Sequence, residues 1–354
     1  MLQGHQTWVF ESKPVIISSA AIGGPFEAQG NLAKDFDLLH GDIWLGQDSY
    51  EQAEKKFLEQ ACETAIKKAG LKKEDIQFFL SGDLINQIIP SSFTARTLAV
   101  PFLGIYGACS SSMEGLSFAS LLVDSGFAKN ALVGTSSHNA ACEKQYRYPT
   151  EYGAQKPPTA QWTVTGAGAA VVAKQGEGPH VVASTIGRVI DMGLSDPFNM
   201  GAAMAPAAVD TIEAHFRDLN IRPSHYDLIA TGDLGKIGHR IARFTYKAWT
   251  RHPDREIDRL RHFNVQRRPT GLRRSQWLCL CCYNYLRASF KSYAKRGTKA
   301  NFSHSHRCLA LPHVLPAKGN HTLHCPCSIN RNVKQEADVW KSLFWHLSLV
   351  DLYV

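Results

Sequence analysis

The chain has 354 residues, 44% of them apolar, which is enough to bury the core of one large α/β domain or two ordinary ones and excludes disorder throughout. Its formal charge of +8 is uneven: residues 1–242 carry 19 Lys and Arg against 25 Asp and Glu, whereas residues 243–354 carry 20 against 6. The basic character therefore belongs to the tail alone, and nucleic-acid binding is not expected of the first part. Met1-Leu2-Gln3-Gly4-His5-Gln6 lacks the basic start and apolar run of a secretory signal, and no stretch approaches a membrane span, so any membrane contact is expected to be peripheral.

Between Ser49 and Gly70 the apolar residues Phe57, Ala61, Ala65 and Ala69 recur every four positions, with Leu58, Cys62 and Ile66 beside them. That is the stripe of an amphipathic helix. Ser49 with Gln52 has capping-box spacing, and Gly70 suits a left-handed closing position. The run Ile76-Gln77-Phe78-Phe79-Leu80 then reads as a buried strand ending in the polar loop Ser81-Gly82-Asp83. The pattern returns at 100–106, a strand followed by Gly107-Ala108-Cys109-Ser110-Ser111-Ser112 and a helical run from Met113 to Leu122. Further strands are expected at 131–135, 167–173, 181–186 and 226–231, with a helix around 204–219. Such alternation predicts a mainly parallel sheet covered by helices on both faces.

Cys109 falls where the amides of a helix start would point at its sulfur, an arrangement that lowers a thiol pKa and suits a nucleophile; a small residue packed at a crowded turn is the plainer alternative. Ser136-Ser137-His138-Asn139 offers hydroxyls, an imidazole and an amide after a strand, and Arg147-Tyr148-Pro149 sets a cation beside aromatic rings. Both read as loops aimed at a ligand, against the alternative of solvated loop residues. Thr163-Val164-Thr165-Gly166-Ala167-Gly168 has glycine spacing that hints at phosphate binding, yet it precedes a strand instead of opening a helix, which rejects a dinucleotide site.

Taken together, Thr7-Trp8-Val9-Phe10, Ser81-Gly82-Asp83-Leu84-Ile85-Asn86-Gln87, Gly107-Ala108-Cys109-Ser110, Ser136-Ser137-His138-Asn139, 148–153 and Asp196-Pro197-Phe198-Asn199-Met200-Gly201 resemble the stage V sporulation protein AD family, in register through Thr231-Gly232-Asp233-Leu234-Gly235. The resemblance implies a thiolase-like fold of layered α-β-α-β-α type, with two similar halves. It implies an N-terminal half over residues 1–175 and the start of a second half over 176–242, left incomplete in this chain. It further implies dipicolinic acid binding for uptake into the developing spore and release at germination, at the inner membrane beside other stage V A membrane proteins, with homodimers as a common state of thiolase-like folds. In thiolases and ketoacyl synthases the residue matching Cys109 is an acylated nucleophile, whereas here the pocket is expected to bind without catalysis. A flat dicarboxylate suits helix-start amides, hydroxyls and a cation, which makes Cys109, Asp83, Ser136, His138, Asn139 and Arg147 the candidate ligand-binding residues. Asp83 then needs a proton, a cation such as calcium accompanying the ligand, or a structural task. No resident cofactor or metal is expected, and the alternative function is an acyl-condensing enzyme using Cys109.

After Ala242 the resemblance stops, and the tail holds six of the nine cysteines and eight of the fifteen histidines. Gln276-Trp277-Leu278-Cys279-Leu280-Cys281-Cys282, spelled in codons and read one base later, gives Ser-Gly-Cys-Ala-Cys-Ala, with the glycine forced by the single Trp codon. His324-Cys325-Pro326-Cys327-Ser328 read at the same offset gives Ile-Ala-His-Ala, again like a family motif. Residues 243–354 are therefore expected to be an out-of-frame, poorly ordered tail, and ligand binding, a property of the intact family form, is expected to be impaired in this chain. A zinc module is the competing account, but Cys279, Cys281 and Cys282 crowd together, as do His304 and His306, without a repeated knuckle.

Overall fold

The computed structural model describes residues 1–243 except 31, 147–161, 195–198, 227, 232–233 and 235–236, and beyond them residues 260–262, 276–277, 307–311 and 348–353. Fifteen strands run among these residues: β1 Leu2–Gln3, β2 Thr7–Val9, β3 Val15–Gly23, β4 Leu38–Leu39, β5 Phe78–Asp83, β6 Phe102–Gly104, β7 Asn130–Ser137, β8 Trp162–Thr163, β9 Gly166–Ala173, β10 His180–Ile186, β11 Leu228–Thr231, β12 Leu260–His262, β13 Gln276–Trp277, β14 Arg307–Leu311 and β15 Ser348–Tyr353. The helices are α1 Tyr50–Lys68, α2 Ile89–Leu98, α3 Ser111–Asp124, α4 Asn139–Tyr146 and α5 Met200–Leu219, with a further helical segment at 237–243.

The helix read from the alanine stripe is α1. Ser49 Oγ accepts the Gln52 amide at 3.2 Å, whereas the Gln52 side chain accepts the Asp48 amide at 3.2 Å, so the reciprocal cap is displaced by one residue from the expected box. Gly70 closes the helix at φ +70°. The stripe buries Phe57, Leu58, Ala61, Cys62 and Ala65 completely. Each large apolar side chain so buried contributes about 1.5–3 kcal/mol relative to exposure.

The strands order as β6-β5-β7-β9-β3 and, continuing, β10-β15-β14-β11-β12. These are two copies of one five-strand unit. In each, three strands run parallel (β6-β5-β7, and β12-β11-β14), the next is antiparallel (β9, and β15), and the last is antiparallel to that (β3, and β10). A single bridge, His180 to Val15, joins the units. The repeat extends to sequence: Ser81-Gly82-Asp83-Leu84 recurs as Thr231-Gly232-Asp233-Leu234, each residue 150 positions on, and Gly70 recurs as Asn220, likewise left-handed at φ +52°. At the same spacing α1 matches α5, so that Glu54 corresponds to Met204, Ala65 to His215 and Lys68 to Asp218.

Helix α1 packs on β3, β7, β9 and α2, whereas α3 touches β5, β7 and β9 and, in the other unit, β15. Helix α5 lies on β10, β15 and β2. The result is a layered sequence of α1 with α2, first sheet, α3, second sheet and α5, the α-β-α-β-α arrangement expected from the sequence. The described part of the tail is not outside this architecture: β12, β14 and β15 take the second unit's positions, and β13 pairs with β8. The rest of residues 244–354, and with it the poor order expected of the tail, lies outside the described residues.

Candidate functional site

The carboxyl ends of β3, β5 and β7 and the start of β9 share one edge of the first sheet, where open α/β sheets place their ligands. Side chains alternate across a strand, so neighbours in sequence reach opposite faces. On β5, Ser81 and Asp83 face α2: the Ser81 hydroxyl donates to Ser91 Oγ at 3.1 Å, and the Ser91 hydroxyl donates to Asp83 Oδ2 at 2.8 Å. Gly82 faces the other way, where an added Cβ would sit 2.2 Å from the Ile105 carbonyl oxygen and 3.2 Å from Ser111 Oγ of α3. On β7, Ser136 faces α1, its hydroxyl donating to Glu54 Oε1 at 2.9 Å. Thr135 and Ser137 therefore take the α3 face, where Val133 meets Gly115 of α3.

Cys109 lies in the single helical turn Ala108–Ser110 that leads into α3, and it is 2% exposed. Ala108 holds φ +48°, an uncommon conformation for a residue with a side chain, and such strain gathers at functional turns. The turn is pinned by the Gly107 amide donating to Ser111 Oγ at 3.1 Å and the Ser110 hydroxyl donating to the Gly107 carbonyl at 2.7 Å. By contrast, burial pushes the Cys62 thiol far up, leaving it a packing residue.

The expected site residues thus divide between the two faces. Asp83 and Ser136 lie behind the sheet from Cys109, and both are buried. Asp83 also accepts the Ser91 amide at 3.0 Å and the Ile85 amide at 3.2 Å, which is the structural task open to it on the sequence alone. Burial pushes its carboxyl up to about 7 despite those bonds. His138 is committed at both ring nitrogens: Nε2–H donates to the Ile43 carbonyl at 3.0 Å, and Nδ1 accepts the Ala140 amide at 3.2 Å. Burial lowers its pKa, consistent with a neutral ring. The ring also stacks on Tyr50 with centroids 5.0 Å apart, and Tyr50 in turn on Trp44 at 4.1 Å, which ties the 40–49 loop to α1. The Asn139 amide donates to Thr165 Oγ1 at 3.0 Å, and its Nδ2 donates to the Thr163 carbonyl at 3.2 Å, joining the start of α4 to the start of β9. Arg147 lies outside the described residues.

Two buried carboxylates belong to this edge and carry no motif. Glu54 on α1 has one oxygen on Ser136 and the other without a hydrogen-bond partner; burial first, then the Asp83 charge, holds its pKa well above the usual range. Glu27, after β3, accepts the Thr165 amide at 3.3 Å, and burial pushes it up to about 7. The available signal for Glu54 was its place on the apolar stripe, four residues before Leu58 and eight before Cys62. Among the described residues no three His, Cys, Asp or Glu side chains gather as metal ligands.

Residues 4–251 match the family model of stage V sporulation protein AD. The chain belongs to that family. Stage V sporulation protein AD of Bacillus subtilis (strain 168) is 48% identical over 258 residues, 72% of this chain and 76% of that protein. Family membership places the chain in sporulation and associates it with the spore. Solved structures share the fold at low identity. OleA of Xanthomonas campestris bound to cerulenin has a TM-score of 0.57 at 12% identity, covering 97% of each chain. The 3-oxoacyl-[acyl-carrier-protein] synthase III of Aquifex aeolicus VF5 has a TM-score of 0.54 at 13% identity, covering 96% of this chain and 100% of that one. The fold of this chain is therefore thiolase-like. No helix among the described residues is long and apolar enough to cross a membrane.

Proposed function

We propose that the chain binds dipicolinic acid, without catalysis, for uptake into the developing spore and release at germination, working beside integral stage V A proteins at the spore inner membrane. The observation that carries this reading is the family match across the segments that build the Cys109 turn and the β5 and β7 edge. The turn at Cys109 leads directly into the start of α3, the end of a helix that favours an anion, and it lies on the face of the sheet that carries Thr135 and Ser137, the Ser137 hydroxyl donating to the Val164 carbonyl at 2.7 Å. The raised pKa values of Asp83 and Glu54 keep negative charge low behind that surface, which favours a dianionic ligand alone or with calcium. Calorimetric titration of the chain with dipicolinic acid, with and without calcium, tests this, and no heat of binding in either series rejects it.

A second reading rests on the fold, whose solved relatives include OleA and a 3-oxoacyl synthase: acyl transfer through Cys109. Incubation with an acyl thioester and intact mass measurement decides it, since an acyl-enzyme lost in Cys109→Ala supports the enzyme and an unchanged mass rejects it. For partners, β6 ends the sheet with Leu103 exposed on the strand and Ile89 and Phe93 exposed on neighbouring α2, an edge suited to a second copy of the chain. Sedimentation of the chain against a Leu103→Lys variant tests that pairing.

A further inference from the structure

Buried polar groups that the site does not use gather where α5 meets the N-terminal hairpin β1–β2. Asp218, one residue from the end of α5, accepts through Oδ2 the Gln6 amide and the Thr7 hydroxyl, each at 3.0 Å, and through Oδ1 Arg217 Nη2 at 3.2 Å. An anion is unfavourable at a helix C-terminus, and the matching position in the first unit is Lys68, which bonds Asp37 and the Ser19 carbonyl instead. The acid is thus explained by the hairpin it holds. The hairpin turn comes so close that a Cβ on Gly4, at φ +63°, would lie 2.5 Å from Asp218 Cγ.

From Asp218 the bonds continue inward. Thr7 Oγ1 is 2.8 Å from Thr185 Oγ1, Thr185 Oγ1 is 2.7 Å from His215 Nδ1, and His215 Nε2 is 2.6 Å from the Tyr226 hydroxyl. Thr7, Thr185, His215 and Tyr226 are fully buried. In the first unit the position matching His215 is Ala65, so the chain is a feature of the second unit alone.

We propose that these five side chains form a one-way hydrogen-bond chain that straps the N-terminal hairpin to the second unit and fixes His215 in its Nδ1–H tautomer. The direction follows from valence. An ionised Asp218 only accepts, so the Thr7 proton goes to it. Having given its proton, Thr7 Oγ1 accepts from Thr185. Thr185, likewise spent, accepts from His215 Nδ1–H. The neutral ring then accepts at Nε2 from the Tyr226 hydroxyl. Burial, which lowers the His215 pKa to about 3, is consistent with the neutral ring the chain requires.

The test is nitrogen-15 histidine spectroscopy on the full chain at neutral pH, with His215 assigned from a His215→Asn spectrum and hydrogen exchange followed at the Gln6 amide. The expected wild-type signal is a proton on Nδ1; a proton on Nε2, or on both nitrogens, overturns the proposal. Thr7→Val frees the Thr185 hydroxyl to donate toward the ring, so the tautomer is expected to shift toward Nε2–H. The Gln6 amide should then exchange about tenfold faster, as fits the loss of one bond to a charged group. Thr7→Ser should restore both. An unchanged tautomer in Thr7→Val overturns the chain whatever the exchange does, because a merely structural threonine would alter exchange alone. In Tyr226→Phe the tautomer is expected to stay Nδ1–H while the Nε2 resonance moves, and an unmoved Nε2 resonance also overturns it.

Discussion

Asp83 and Ser136 are register partners on β5 and β7, and both side chains lie on the face covered by α1 and α2, opposite the helix that opens at Cys109. Two residues that the sequence offers for one pocket with Cys109 therefore lie on the face of the sheet away from its turn.

Ligand affinity should follow that division. Asp83→Asn and Ser136→Ala are expected to lower the unfolding midpoint while leaving the dipicolinic acid dissociation constant within about a factor of three, since neither faces the turn. Cys109→Trp should abolish binding by displacing the buried Ala108–Ser110 turn that leads into α3. Titration calorimetry on the three variants checks this, and equal losses of affinity would place the ligand elsewhere.

Gly82→Ala should disturb the Cys109 turn directly, from the same face of the sheet. The new methyl meets the Ile105 carbonyl at 2.2 Å, a backbone atom that cannot swing aside, so the loop from 105 to 111 must move. The expected cost is about 1–3 kcal/mol in denaturant unfolding, as for other overpacked interiors. A changed rate of Cys109 alkylation should accompany it.

Stability should fall with rising pH through Glu27. Its carboxyl is held at about 7 against an ordinary 4.5, so between those values the folded state keeps a proton that the unfolded chain releases. The contribution is complete below 4.5 and is lost as pH rises through 7; at about 1.4 kcal/mol per pKa unit it amounts to about 3 kcal/mol at most. Glu27→Gln should flatten this slope in denaturant unfolding between pH 5 and pH 8.

Glu54 acts in the same direction. It has one oxygen without a hydrogen-bond partner, and its counterpart in the second unit is Met204, so the fold does not require an acid there. Glu54→Gln keeps an acceptor for Ser136 and should stabilise the protein more at pH 8 than at pH 5 in the same assay. Equal effects at both values would mean that Glu54 is ionised throughout.

On the acid side the sign reverses. His215, held at about 3 against an ordinary 6.5, contributes stability that is present above 6.5 and is lost as pH falls toward 3, because the unfolded chain takes up a proton the folded ring refuses. Unfolding curves of wild type and His215→Asn should converge in shape above pH 7 and diverge below 6, measured in the same buffers.

Much of the local structure was legible in the sequence. The spacing from Phe57 to Ala69 fixed α1 and its buried face, Gly70 its end, and the apolar runs marked β5, β7, β9 and β10. Helix α2 was not legible: it holds Ser91, Ser92, Thr94 and Thr97, begins after Ile88 at φ +46°, and has no clean apolar stripe. Among the few described residues of the tail, β12, β14 and β15 pair in the second unit, positions that the tail's composition did not mark. Strand pairing satisfies backbone groups whatever the side chains, so composition is a poor guide to it.

The sequence by itself determined the family, the alternation of helix and strand, and the position of Cys109 at the start of a helix, because these depend on contacts within a few residues or on motifs in register. It also determined that Gly82 and Asp83 must point apart, since a strand alternates. Only the tertiary structure decided which of the two faces Cys109, because that depends on the side of the sheet to which each crossover carries its helix, a choice made by packing between elements far apart in the chain.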